Sequence, residues 1–206
     1  MKPLEQCRLY SFVDTAYLHG REVEDVAGEL CEGGSDIIQL RAKHQAPDEV
    51  RQMAEAILPI TRAASVGLVI NDYPEIAEGV GADLCHLGQE DYFNAGMRSE
   101  VRFGLSSHAP EQATRALAAK PAYIAIGPVY ATGTKPGAKP VTLEYVRWAT
   151  KNVTIPWFAI GGITLENVDE VMRAGARRIC VVSAILNAPD IRGACQAFAA
   201  RVRSAA

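Results

Sequence analysis

Eight short apolar runs rich in β-branched residues, separated by segments of amphipathic helical periodicity along 206 residues, predict an α/β chain closed into a compact (β/α)8 TIM barrel. The closed form is preferred to an open doubly wound sheet because no run leads into a G-x-G-x-x-G turn. A hydrophobic share of 49% with 22% charged residues is that of a globular chain with one sizeable core. No Pro/Gly/Ser-rich linker divides it, so residues 1–206 are read as one domain.

In a barrel of this kind the chemistry gathers where the strands end, so each run is read together with the residues that follow it. The first run is Leu9 to Val13. The second, Asp36 to Leu40, continues into Gln39-Leu40-Arg41-Ala42-Lys43, where period-two spacing turns two cations the same way, toward one anion. Taken alone, an R-x-K also fits a solvated loop. The third run, Leu68 to Ile70, ends in Asn71-Asp72, and the fourth, Asp83 to Leu87, in Gly88-Gln89-Glu90-Asp91. Acidic side chains leaving adjacent strands suit a shared Mg2+, which takes one or two protein carboxylates and completes its shell with water and phosphate oxygens. The plainer reading makes Asp72 a helix N-cap before Pro74 and Asp91 an acidic residue of a first turn.

The fifth run, Val101 to Leu105, ends in Ser106-Ser107-His108, and the sixth, Tyr123 to Ile126, in a long loop from Gly127 to Gly137. That loop offers Thr132, Gly133, Thr134 and Lys135, hydroxyls, free N–H groups and a point charge suited to a phosphate, and its segment from Gly133 to Pro140 reads as a lid. The G-x-x-x-x-G-K-[ST] order of a P-loop is absent. The seventh run, Trp157 to Ile160, ends in Gly161-Gly162, and the eighth, Ile179 to Val182, in Ser183. Glycines after the seventh strand and N–H groups after the eighth form the phosphate site many barrels share. Helical stripes fill the intervals: Val50, Met53, Ala54, Ile57, Leu58 and Thr61; Leu165, Val168, Val171 and Met172; Ile191, Ala194, Cys195, Phe198 and Val202.

A net charge of −3 gives no basic field for nucleic acid or an anionic membrane, so anions must be held locally. No apolar run approaches the roughly 18 residues of a membrane span, and Met1 to Arg8 lacks the apolar stretch of a secretory leader. The five cysteines, odd in number and without a C-x-x-C pair, indicate a reduced, cytoplasmic protein in which they act as small buried hydrophobes. The composition is compatible with a homo-oligomer. The rim as a whole presents two anion sites flanking two carboxylates, which suits two phosphorylated small-molecule substrates and transfer with diphosphate as the leaving group.

The ordered blocks Gln39 to Lys43, Val69 to Asp72, His86 to Asp91, Gly127-Pro128 through Thr132 to Lys135, Ala159 to Ile163 and Val182 to Ile185 resemble the thiamine phosphate synthase family, from Leu9 to about Ile185. The resemblance implies an enzyme that joins hydroxymethylpyrimidine diphosphate to hydroxyethylthiazole phosphate, releasing diphosphate. It further implies that Gln39, Arg41, Lys43 and Asn71 hold the pyrimidine diphosphate. Asp72 and Asp91 hold Mg2+, Ser106 and Lys135 complete the catalytic side, and Thr132, Gly133, Thr134, Gly162, Val182 and Ser183 hold the thiazole phosphate. Alternatives are a thiazole tautomerase of the same superfamily, with a histidine near His108, and a non-catalytic regulator that binds thiazole or thiamine phosphate. Retention of the whole Arg41, Lys43, Asn71, Asp72, Asp91 and Lys135 set weighs toward the synthase.

Overall fold

A computed structural model describes residues 1–95, 99–133 and 140–204. Eight parallel strands close a barrel in sequence order: β1 (Leu9–Asp14), β2 (Ile37–Arg41), β3 (Gly67–Asn71), β4 (Leu84–Leu87), β5 (Phe103–Ser107), β6 (Tyr123–Ile126), β7 (Trp157–Ile160) and β8 (Ile179–Cys180). The last pairs back to the first, Cys180 beside Tyr10. Around it run α1 (Val23–Glu32), α2 (Pro47–Ala63), α3 (Pro74–Val80), α4 (Gln89–Ala95), α5 (Pro110–Ala118), α6 (Thr142–Asn152), α7 (Val168–Arg173), α8 (Ser183–Leu186) and α9 (Ile191–Ser204). Among the described residues no helix is long and apolar enough to cross a membrane.

Strands covered on one face by helices and on the other by the barrel interior are buried on both, and β1, β3, β4 and β6 are buried at every position, mostly by apolar side chains. The helices bury one stripe each. In α2, Pro47 opens the first turn, the Glu49 side chain accepts the Ala46 N–H at 2.8 Å, and Val50, Ala54, Ile57 and Thr61 face the barrel. In α9 the inward stripe is Ile191, Cys195, Phe198, Ala199 and Val202.

Several sequence-based boundaries shift, for definable reasons. Asp36 and Asp83 precede β2 and β4 rather than opening them, because their carboxylates are engaged with neighbouring strands. Asp36 accepts the Arg8 and Leu9 N–H groups at 2.6 and 3.0 Å, and Asp83 accepts that of Leu68 at 2.9 Å. β5 begins at Phe103 rather than Val101 and β8 stops at Cys180 rather than Val182. Leu165, placed on a helical stripe by spacing, lies before α7 and is 38% exposed. There the Asn167 carboxamide oxygen accepts the Thr164 N–H at 2.9 Å, a turn that delays the helix.

At the closed end of the barrel Asp36 also meets Lys2 at 2.6 Å and Arg203 at 3.1 Å. Burial pushes its carboxyl up, but the Lys2 hydrogen bond, the two backbone N–H groups and the Lys2 charge outweigh that and hold it below the usual carboxylate value. The barrel interior above is aromatic. Tyr10 stacks on Phe12 with centroids 5.3 Å apart and meets Tyr123 and Phe158 edge-on at 5.8 and 5.4 Å. Gly104 makes room for this layer, since a Cβ there would fall 2.2 Å from the Tyr123 ring. Four of the cysteines are buried and Cys31 half-buried, all free; burial pushes the Cys7 and Cys31 thiols up to about 11 and that of Cys85 to about 12.

Candidate active site

Because all strands run parallel, every loop that follows a strand opens at one mouth. A cavity there is floored by Tyr10, Phe12, Ala125, Ile160 and Cys180 and walled by the strand-end residues. Of those singled out in the sequence, Gln39, Arg41, Lys43, Asn71, Asp72, Asp91, Ser106, Thr132, Gly162, Val182 and Ser183 line it. Gly133 is described but does not line it, and Thr134 and Lys135 lie outside the described residues, as does most of the segment read as a lid.

Arg41 ends β2 beside Asp14, the last residue of β1, and the two are register partners. The guanidinium donates to Asp14 Oδ2 at 2.7 Å, while Asp14 Oδ1 accepts the Ala16 N–H at 3.0 Å. Asp14 is 1% exposed and Arg41 18%, so the pair is shielded from water and fixes where the guanidinium points. Lys43 reaches Asp72 at 3.2 Å in a more solvated setting. Asp72 also accepts from Asn71 Nδ2 at 2.6 Å.

Asp72 has φ 67°, a left-handed conformation costly for a non-glycine residue but one Asp adopts more readily than most. Its N–H donates to the His86 carbonyl at 2.9 Å, which pins the kink at the end of β3. The N-cap reading of Asp72 does not hold: Tyr73 occupies that position of α3, and the Asp72 carboxylate faces Lys43 and Asn71 instead. Asp91 does sit in the first turn of α4, and it also borders the cavity.

Opposite, the loops after β6 and β7 are tied together. Val129 and Tyr130 donate to the Ile160 and Gly161 carbonyls at 2.8 and 3.0 Å. Gly162 is required at this junction: its φ is 63°, and a Cβ would fall 2.6 Å from the Ala131 carbonyl oxygen. His108 Nδ1 contacts the Gly127 carbonyl, which only accepts, so that nitrogen carries a proton.

Sequence reasoning missed Asp14, although the strand-end rule applied to the first run would have found an acidic residue one strand from Arg41. It also missed a buried polar network on the cavity floor: Gln39 Nε2 to Tyr10 Oη at 2.7 Å, Tyr10 Oη to Tyr123 Oη at 2.9 Å, Tyr123 Oη to His86 Nδ1 at 2.9 Å, and His86 Nε2 to Ser106 Oγ at 2.9 Å. Complete burial pushes both phenols well above their usual value, so the network consists of neutral hydroxyls.

A closed (β/α)8 barrel whose strand ends gather cations, carboxylates, amides and hydroxyls over one aromatic-floored cavity is the framework of a barrel enzyme acting on small polar molecules. The profile of the family described as thiamine monophosphate synthase matches residues 9–185, and the chain belongs to that family. It is 46% identical over 178 residues to a thiamine-phosphate synthase of Thermus thermophilus, with 82% of this chain and 84% of that protein covered. It is 39% identical over 210 residues to that of Acidothermus cellulolyticus, with 98% of each covered. Its fold superposes on a thiamine phosphate pyrophosphorylase from Pyrococcus furiosus with a TM-score of 0.86 at 27% identity, covering 99% of both chains.

Proposed function

We propose that the chain forms thiamine phosphate by transferring the pyrimidinylmethyl group of hydroxymethylpyrimidine diphosphate to the ring nitrogen of hydroxyethylthiazole phosphate. The observation that carries this reading is the convergence of Gln39, Arg41, Lys43, Asn71, Asp72, Asp91 and Ser106 on one cavity in a chain of this family. Arg41, oriented by Asp14, and Lys43 bind the diphosphate; Gln39 and Asn71 hold the pyrimidine half; Ser106 and Lys135 donate to the departing group. Thr132, Gly133, Thr134, Gly162, Val182 and Ser183 receive the thiazole phosphate.

Substitution is dissociative in this reading: the C–O bond to diphosphate breaks first, and the thiazole nitrogen then attacks the pyrimidinylmethyl cation. The protein supplies no nucleophile. It holds two substrates in one cavity, which removes the entropy cost of their meeting, and aims donors where negative charge develops. The oxygen-only donors Asp72 and Asp91 both border the cavity and suit Mg2+, an ion that needs only one or two protein carboxylates. When bound, Mg2+ neutralises charge on the leaving diphosphate. A cytoplasmic location belongs to the same reading, supported by five free thiols.

Purified protein mixed with the two substrates and Mg2+ is expected to yield thiamine phosphate, followed as thiochrome fluorescence, and to lose that activity in EDTA. Folded protein that makes no product would overturn the reading, and product indifferent to EDTA would remove the metal from it.

A further inference from the structure

The polar network beneath the cavity joins two pocket side chains, Gln39 on β2 and Ser106 on β5, through three residues with no assigned role, Tyr10, Tyr123 and His86. Each hydroxyl has one hydrogen to give, and this makes the direction of the whole chain derivable. The Gln39 amide N–H can only donate, so Tyr10 Oη accepts at that link. Tyr10 is 1% exposed, and among the described residues its hydroxyl meets, besides Gln39, only the Tyr123 hydroxyl. If Tyr123 donated to Tyr10, the Tyr10 O–H would be buried without an acceptor, which a folded protein avoids. Tyr10 therefore donates to Tyr123.

Tyr123 must then spend its hydrogen on His86 Nδ1, which makes that nitrogen the acceptor. The proton of a neutral His86 resides on Nε2 and is donated to Ser106 Oγ. Ser106 accepts from below, and with no other partner among the described residues its own hydrogen is left to point into the cavity it lines.

We propose that Tyr10, Tyr123 and His86 are positioning residues that polarise a one-way hydrogen-bond wire, fixing Ser106 as a donor toward an anionic oxygen in the pocket. Resting on the functional reading above, the occupant that receives this hydrogen is an oxygen of the departing diphosphate. No proton is transferred along the wire; its effect is that Ser106 meets the developing charge already oriented, without a reorganisation step. The wire also rejects ligands that would present a donor at this position, since a donor facing the Ser106 hydrogen leaves both unpaired.

Two measurements test this. Long-range 15N–1H NMR of the free wild-type protein, with the signal assigned by its loss in His86→Gln, is expected to show a protonated Nε2 and an unprotonated Nδ1 at His86. A proton on Nδ1, alone or with Nε2, overturns the wire. In kinetics, Tyr123→Phe is expected to lower kcat on the order of 10-fold, the worth of one misdirected charge-assisted hydrogen bond, with KM for the pyrimidine diphosphate little changed. In a Ser106→Ala background the same substitution should cost nothing further, because the path runs through Ser106; equal losses in both backgrounds would refute it. Should Tyr123→Phe not fold, Tyr10→Phe breaks the preceding link and enters the same cycle. A wild-type protein with no synthase activity would overturn the functional reading alone, and the tautomer would still decide the wire.

Discussion

Replacing Asp14 with Asn isolates the partner that aims Arg41. The substitution keeps the side-chain shape and can keep the 3.0 Å bond from Ala16 N–H to Oδ1, but it turns an amide NH2 toward the guanidinium that Oδ2 now receives at 2.7 Å. A hydrogen bond to a charged group contributes about 1.5–3 kcal/mol, and breaking a fully buried pair costs about 3–5 kcal/mol. Arg41 is 18% exposed, so water recovers part of the loss and places the cost at about 2 kcal/mol. For a domain of this size each kcal/mol moves Tm by about 2–4 °C, giving a drop of about 4–8 °C in a thermal melt without ligand. Inorganic diphosphate with Mg2+ offers Arg41 a replacement anion, so the gap between wild type and variant should narrow when both are saturated. An unchanged Tm, or a gap that diphosphate leaves as wide, would show that Asp14 does not hold the guanidinium for an anion.

Other expectations follow from the same geometry. Asp36 has its carboxyl held below the usual value, so its contribution is complete above about pH 4 and is lost as pH falls through the lower native value. The stability difference between wild type and Asp36→Asn, measured by urea unfolding, should therefore shrink from pH 5 to pH 2; a constant difference would contradict this. Gly162→Ala forces a Cβ to 2.6 Å from the Ala131 carbonyl oxygen at φ 63°, and should cost about 1–3 kcal/mol while raising KM for the thiazole phosphate. A lowered Tm with unchanged KM would remove Gly162 from that site. The thiols pushed up to about 11 to 12 should resist iodoacetamide at pH 8 in the native protein and label after urea unfolding; rapid native labelling would count against their burial.

The eight strands were legible because a strand covered on both faces leaves an uninterrupted apolar run, and Tyr123–Ile126 and Trp157–Ile160 match to the residue. The rim was legible because one rule, to look just past each run, gathers Arg41, Asn71, Asp72 and Ser106 without knowledge of their distances. What the sequence hides is pairing between distant strands. Tyr10 and Tyr123 sit in apolar runs and read as core aromatics, yet their hydroxyls meet across 113 positions. Asp14 was hidden differently, as one more polar residue after a strand until the register set it beside Arg41. Boundaries failed where a side chain captured backbone N–H groups, as at Asp36 and Asn167, since such captures stop an element without altering its hydrophobic period.

The hydroxyl contact between Tyr10 and Tyr123 also bears on how this barrel assembles. Strands β1 to β4 alone would leave Tyr10 and His86 on an open inner face with Tyr123, the partner of both, still absent. Collapse of either half on itself would bury links of this network that only the other half completes, at a cost of about 1–3 kcal/mol per group left unpaired. A half-barrel fragment is therefore expected to fold poorly on its own, with the two arcs of the chain reaching their native packing together.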